Sequence, residues 1–356
     1  MRFNESAKRV FKNCAPVFYE FLVGCRTVGK ELKKRPVEYT FDKITDNVIA
    51  KYNPDLACRL VCKSNVRKLD KYFIKQGRMQ TGVVIEMEAR EAPVGFFSLM
   101  FQVLGAMDFC QRNGCNLIVN YNTGCYVDPE AGPNWWEYFF ETSRFQFRPG
   151  SADKGVVQLS KSERDMFAIF GGTIEPARAC QMVEKVGIKP WVLRKVGKYA
   201  DEHFRGKNVV GIHYRGTDKV AGKFAEAGRI SAQRIMEYLA ATFGKDTCFF
   251  VATDEESFLK DMQSKFASRV LCYDSLRSHD NNPLHYGNPK NSGFRLGEDA
   301  LTDCLLLSRC NEIVRTSSNL SHACRFFNPK LKVTDLSRMF TPKQIIFSAE
   351  MGRVRP

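Results

Sequence analysis

Asn208-Val209-Val210-Gly211-Ile212-His213-Tyr214-Arg215 is the stretch on which the reading of this chain turns. A short run of apolar and β-branched residues, closed by polar side chains, is the signature of a strand buried on both faces of a parallel sheet. The sequence downstream fits that sheet. A helix is expected over 231–241, with a serine at its start, then a strand over 248–252 and a helix over 255–266. A strand over 270–272 leads into a polar loop, 275–292, rich in Asn, Pro, Gly and His. A helix over 297–309, a strand over 312–315, a helix over 317–328 and a strand over 332–334 complete the alternation.

Upstream the same pattern recurs in weaker form. Gly82 to Met87 reads as a buried strand, Gly95 opens an apolar helix over 97–113, and Asn113-Gly114 is a stop signal. A second strand follows at 117–119, so the unit is strand–helix–strand and its sheet is parallel. An aromatic loop occupies 126–140, helical segments run from 162 to about 202, and a break falls near Gly206. Residues 1–80 are polar, basic and mostly helical or irregular in pattern. Two tandem α/β units imply two Rossmann-like, doubly wound domains facing a cleft. The expected division is 1–203, a helical segment plus an acceptor-side α/β domain, and 204–356, a nucleotide-binding domain.

Composition narrows the function classes. Hydrophobic residues make up 44% and charged residues 26% of the 356, the balance of a soluble globular protein. There are 54 Lys plus Arg against 39 Asp plus Glu, a net charge of +15. Outside Lys33-Lys34-Arg35 the basic residues are scattered among acidic ones, so the charge reads as a solvated surface and not as a nucleic-acid track. Thirteen cysteines without a C-x-x-C pair read as free thiols of a reducing compartment. No apolar segment near the start is long enough for a signal peptide or a membrane span. The expectation is a cytoplasmic enzyme of bacterial or viral type. The oligomeric state is not legible.

Three blocks carry chemistry. His213-Tyr214-Arg215-Gly216-Thr217-Asp218-Lys219 lies at the carboxyl end of a strand, where open parallel sheets bind ligands, and an arginine there can grip phosphate oxygens bidentately. Thr217-Asp218 replaces the Lys-Ser/Thr of a phosphate loop, which rejects a P-loop NTPase. The second block is Ala252-Thr253-Asp254, where Thr253 or Asp254 caps the next helix, touches a ligand, or does both. The third is Asp299-Ala300-Leu301-Thr302-Asp303 continuing to Ser308, followed by Arg315-Thr316-Ser317-Ser318. Asp303 sits opposite a leucine-rich helix face, so it must meet solvent, a partner or a ligand; a carboxylate there accepts two hydrogen bonds from a guanine edge. Thr316, Ser317 and Ser318 mark a strand-to-helix handover whose N–H groups and hydroxyls form an anion site, or a plain helix cap. No Asp-x-Asp pair, H-E-x-x-H or His/Cys cluster occurs, so no metal site and no cofactor are expected, and arginine must neutralise a diphosphate.

In this order and spacing the blocks resemble the superfamily of fucosyltransferases that includes the core N-glycan and rhizobial nodulation enzymes. The pattern His-x-Arg-Arg-x-Asp-Lys, Ala-Thr-Asp, Asp-x-x-x-Leu-Ser and Thr-x-Ser-Ser matches at 213–219, 252–254, 303–308 and, one residue shorter, 316–318. Looser similarity reaches back to the Gly95-Phe96 helix start and to the loop holding Tyr126 and Trp135. The resemblance implies an α/β GT-B fold and metal-independent, inverting transfer of L-fucose from GDP-fucose, a nucleotide sugar, to an oligosaccharide acceptor. It implies that His213 and Asp303 hold guanine, that Arg215, Asp254, Ala300, Thr316, Ser317 and Ser318 line the donor site, and that Arg215 neutralises the leaving diphosphate. Lys219 would lie by the leaving group or transferred sugar.

Two positions depart from the pattern. Gly216 stands where the second arginine belongs, and Lys223 stands where the core-fucosylating enzymes carry a glutamate base, with Glu226 nearby but out of register. Arg215, Lys219 and Glu226 are therefore the catalytic candidates. Gly95, Phe96, Tyr126 and Trp135 are the acceptor-side candidates, the aromatic rings as stacking surfaces for sugars or as core. The alternatives are the same fold with another nucleotide sugar, or a catalytically silent nucleotide- or glycan-binding relative.

Overall fold

The computed structural model describes residues 54–88, 94–141, 155–215, 230–278 and 292–336. Helix α1 (Pro54–Leu69) runs on into a π-helical turn, Asp70–Lys75. Strand β1 (Val84–Glu88), helix α2 (Phe96–Asn113) and strand β2 (Asn116–Asn120) form the expected strand–helix–strand unit with parallel strands. Gly114 ends α2 in the left-handed region (φ 66°), its N–H returning to the Cys110 carbonyl, as Asn113-Gly114 signals. A short helix α3 (Trp136–Phe139) follows, then strand β3 (Val156–Gln158).

Helices α4 (Lys161–Thr173), α5 (Pro176–Val186) and α6 (Pro190–His203) complete the first half. Ser160 caps α4 through a reciprocal box with Glu163, and α5 and α6 each open on a proline, whose missing N–H costs nothing there. The sheet order is β2-β1-β3, all parallel, with Ile85 opposite Leu117 on one side and Val157 on the other. Strand β3 was not anticipated. It is three residues long with Val156 and Gln158 exposed, so it lacks the apolar run that betrays a buried strand.

The second half follows its pattern closely. Strand β4 (Val209–Tyr214) is buried along its whole length. Then come α7 (Ala232–Thr242, capped by Ser231), β5 (Cys248–Thr253), α8 (Glu256–Phe266), β6 (Val270–Leu271), α9 (Gly293–Ser308), β7 (Glu312–Arg315), α10 (Asn319–Phe327) and β8 (Lys332–Asp335). The parallel order β6-β5-β4-β7-β8 is doubly wound, and the direction of winding reverses between β4 and β7. Helix α9 starts one turn earlier than expected, because the Ser292 hydroxyl accepts the Arg295 N–H as an N-cap inside what reads as loop. Helix α10 starts later than 317, because Ser318 is its cap and lies outside it.

One apolar core runs from Leu69 to Leu331, so α9 and α10 of the second half share their buried faces with α2, α4, α5 and α6 of the first. A second, smaller cluster lies across the other face of the five-stranded sheet, under α7 and α8. Among the described residues, no helix is long and apolar enough to cross a membrane, and the cysteines are all free thiols.

Candidate functional site

The point where the winding reverses is where open sheets leave a crevice beyond the carboxyl ends of their strands. Here those ends are His213-Tyr214-Arg215 on β4 and Arg315-Thr316-Ser317-Ser318 on β7. The ladder pairs His213 with Arg315 and goes one rung further, the Thr316 N–H donating to the His213 carbonyl at 3.0 Å. Beyond it the Arg215 N–H donates to the Thr316 Oγ1 at 3.1 Å. The chain then turns into α10. The Ser318 Oγ accepts the Leu320 N–H, and the Ser321 hydroxyl donates within reach of both the Thr316 and Ser318 carbonyls (3.3 and 3.2 Å). Ser318 is thus a helix cap, and the N-terminus of α10 with its partial positive charge faces the same carboxyl edge as Arg215.

Asp254, just past β5, approaches the Arg215 Nε with one carboxylate oxygen at 3.9 Å. That is too long for a hydrogen bond, so it orients the guanidinium electrostatically without locking it. Arg315 is differently employed: at 3.1 Å from the Asp335 carboxylate of β8, and nearly buried with it, it is a structural pair.

Asp303 and Ala300 project from α9, which packs across β4 and β5. Asp303 is buried, and the Ser275 hydroxyl donates to its Oδ1 at 2.9 Å. Burial pushes its carboxyl up to about 7, against the hydrogen bond from Ser275 and the charge of Arg277, with Asp299 adding to the rise. One turn earlier, Asp299 accepts the Leu276 N–H at 2.9 Å and pairs with Arg295; burial raises it too. The segment after β6 is thereby strapped along α9. It also touches the start of α8, where the Ser278 N–H donates to the Asp254 carbonyl at 2.8 Å. Asp303, expected to meet solvent, a partner or a ligand, is buried against the Ser275 hydroxyl.

Of the two readings open for the aromatic rings, sugar-stacking surface or core, their burial favours core. Phe96, Tyr126 and Trp135 are buried and cover one another: ring centroids of Phe96 and Trp135 are 5.3 Å apart, and those of Tyr126 and Trp135 5.1 Å. Tyr121 stacks on Trp135 and Phe140 on Trp136. No face of Trp135 is left for a sugar ring, because six large aromatics gain more by excluding water together than by standing open to it. Asn134 buttresses the loop by donating to the Val119 carbonyl and accepting the Tyr121 N–H. The Tyr126 hydroxyl accepts the Phe96 N–H at 2.7 Å, which fixes the start of α2 beside half-buried Gly95. Burial pushes the Tyr126 phenol up, against its hydrogen bond with the Phe96 N–H and the charge of Arg215. The Ser292 hydroxyl binds the Asp128 carboxylate, and Gly293 lies so close to the Tyr126–Val127 backbone that a Cβ would strike it.

The structure thus brings His213, Arg215, Asp254, Thr316, Ser317 and Ser318 to one sheet edge, with Asp303 and Ala300 on the helix that crosses it. Gly216, Lys219, Lys223 and Glu226 lie outside the described residues. Ser275, Arg277 and Ser321 were missed by sequence reasoning. Each acts through a neighbour that only the fold supplies, although Ser321, three residues after a capping serine, was the most visible. Among the described residues no group of three or more His, Cys, Asp or Glu side chains is gathered as metal ligands would be.

Comparison of the sequence with protein-family models and with characterised proteins finds no match. Among solved structures, the chain is similar to NodZ alpha-1,6-fucosyltransferase soaked with GDP-fucose, at 18% identity and a TM-score of 0.48, over 73% of this chain and 96% of that one. The fucosyltransferase NodZ from Bradyrhizobium matches at 16% identity and a TM-score of 0.45, over 73% and 97%. A mutant of Arabidopsis thaliana FUT1 in complex with GDP matches at 10% identity and 0.40, over 77% and 78%.

Proposed function

We propose that the protein is a GT-B glycosyltransferase that moves L-fucose from GDP-fucose to a glycan acceptor with inversion and without a metal ion. One observation carries the reading: blocks 213–215, 252–254 and 316–318, far apart in sequence, converge on the carboxyl edge of one parallel sheet at its winding reversal. In this reading residues 204–356 bind the nucleotide and residues 1–203 the acceptor. The Asp303 carboxylate accepts hydrogen bonds from guanine, with His213 beside it. Arg215, oriented by Asp254, and the N-terminus of α10 take the diphosphate charge that grows as the sugar–phosphate bond breaks, a stabilisation made mainly in the transition state. The acceptor hydroxyl attacks the anomeric carbon from the opposite face. Its proton passes to a base, for which Glu226 is the candidate, and GDP leaves. Lys219 supplies a further positive charge.

Gly216 and Lys223 favour one second reading, a relative that binds the nucleotide without turning it over. A single assay separates the two. GDP release without added metal is expected from GDP-fucose and not from UDP-sugars or other GDP-sugars. Release from a different sugar nucleotide corrects the donor. GDP binding without release from any donor, over a panel of glycan acceptors, supports the silent relative. Neither binding nor release contradicts both.

A further inference from the structure

We infer that Thr316 is a positioning residue, whose hydroxyl sets the backbone of Arg215 at the winding reversal; this rests on the proposed role of Arg215. In a parallel ladder that continued past His213 and Arg315, the Arg215 N–H would go to a main-chain carbonyl of β7. Instead it goes to the Thr316 side chain at 3.1 Å. The substitution solves two local problems at once. It lets β7 stop at Arg315 so that residues 317 and 318 turn into α10, and it still gives the Arg215 N–H a partner where Thr316 is buried.

The carbonyl freed on Thr316 is not left bare, because the Ser321 hydroxyl reaches it from the first turn of α10 at 3.3 Å. The clasp is closed by the Thr316 N–H on the His213 carbonyl. Two main-chain atoms on either side of Tyr214, one in β4 and one just past it, are thereby held by one residue. Its hydroxyl accepts the Arg215 N–H, which sets the backbone from which the guanidinium projects.

The test combines a backbone readout with a mutant cycle. Thr316→Val keeps the shape and removes the hydroxyl, and Thr316→Ser keeps the hydroxyl. Amide hydrogen exchange across residues 213–215 should quicken in Thr316→Val and stay near wild type in Thr316→Ser, with unchanged exchange across α9. In GDP-fucose turnover, Thr316→Val should lower kcat about tenfold or more with KM within about twofold, Thr316→Ser should recover most of it, and Thr316→Val should add nothing to Arg215→Ala. Additive losses in the double variant would overturn the inference in favour of a direct contact between Thr316 and donor. Unchanged exchange in Thr316→Val would overturn it outright. Absence of turnover in the wild type contradicts the proposed function instead, and the exchange measurement then still decides the clasp.

Discussion

The loop at 126–140 and the turn at 315–318 are both short connections at the edge of a parallel sheet, and they solve opposite problems. The loop is held by rings: Tyr126, Trp135, Trp136 and Phe140 pack together with Tyr121, while Asn134 fixes its backbone and Asp128 takes the Ser292 hydroxyl. The turn is polar, with hydroxyls at Thr316, Ser318 and Ser321 standing in for backbone partners while the sheet hands over to a helix. Rigidity in the first comes from volume and in the second from hydrogen-bond bookkeeping. A site that must receive a charged ligand is built on the second kind of connection, because its groups have already exchanged water for fixed dipoles.

The contrast fails most visibly if volume does not matter in the loop. Trp135→Ala should cost about 3–5 kcal/mol of stability, read by denaturant unfolding, because it empties a fully buried site. A loss below about 1 kcal/mol would mean the rings are not the loop's support. Gly293→Ala comes next, at about 1–3 kcal/mol, because its new Cβ would strike the immovable backbone at Tyr126 and Val127, where α9 docks on the loop. An unchanged midpoint would show that this docking is loose.

The polar side is sharpened by pH. The Asp303 carboxyl is raised from 3.8 to about 7 by burial, so between those values the folded protein holds a proton that the unfolded chain has released. Stability should therefore fall as pH rises through that window, and the penalty should stand in full above it. Asp303→Asn should accordingly be more stable than wild type above pH 7, the gain shrinking toward pH 4. In the proposed reading guanosine needs the ionised Asp303 carboxylate, so its binding should change in the opposite sense, weakening about tenfold per pH unit below about 7. A pH-independent guanosine affinity would remove Asp303 from base recognition. The smallest effect is at the cap: Ser318→Ala should cost about 1 kcal/mol, and a neutral result would show that α10 holds without it.

Much of the sheet was legible because its strands are apolar runs bounded by caps. Gly82 to Met87, 117–119, 208–214, 248–252 and 312–315 all read as strands, and Ser231 and Asn113-Gly114 announced a helix start and a helix stop. Strand β3 escaped because three residues with two exposed side chains leave no period. The early start of α9 escaped because Ser292 lies in a polar stretch where a capping serine looks like any other. The candidate site was legible as residue types at strand ends, yet their partners were not. Nothing in the spacing links Asp303 to Ser275 or Arg215 to Thr316, since both pairs are closed by the fold across long separations. The aromatic loop stayed open between two readings for a related reason: the composition that suits a sugar-stacking platform also suits a core, and only burial tells them apart.

The central claim is that the edge formed by β4, β7 and the start of α10 receives a diphosphate through Arg215. Titrating GDP and GMP by calorimetry against wild type and Arg215→Ala, without added metal, tests it most directly. The account predicts that wild type binds GDP at least about tenfold more tightly than GMP, and that Arg215→Ala lowers GDP affinity until the two ligands bind nearly alike. A GDP preference that survives Arg215→Ala unchanged, or a wild type that binds neither nucleotide, would contradict it.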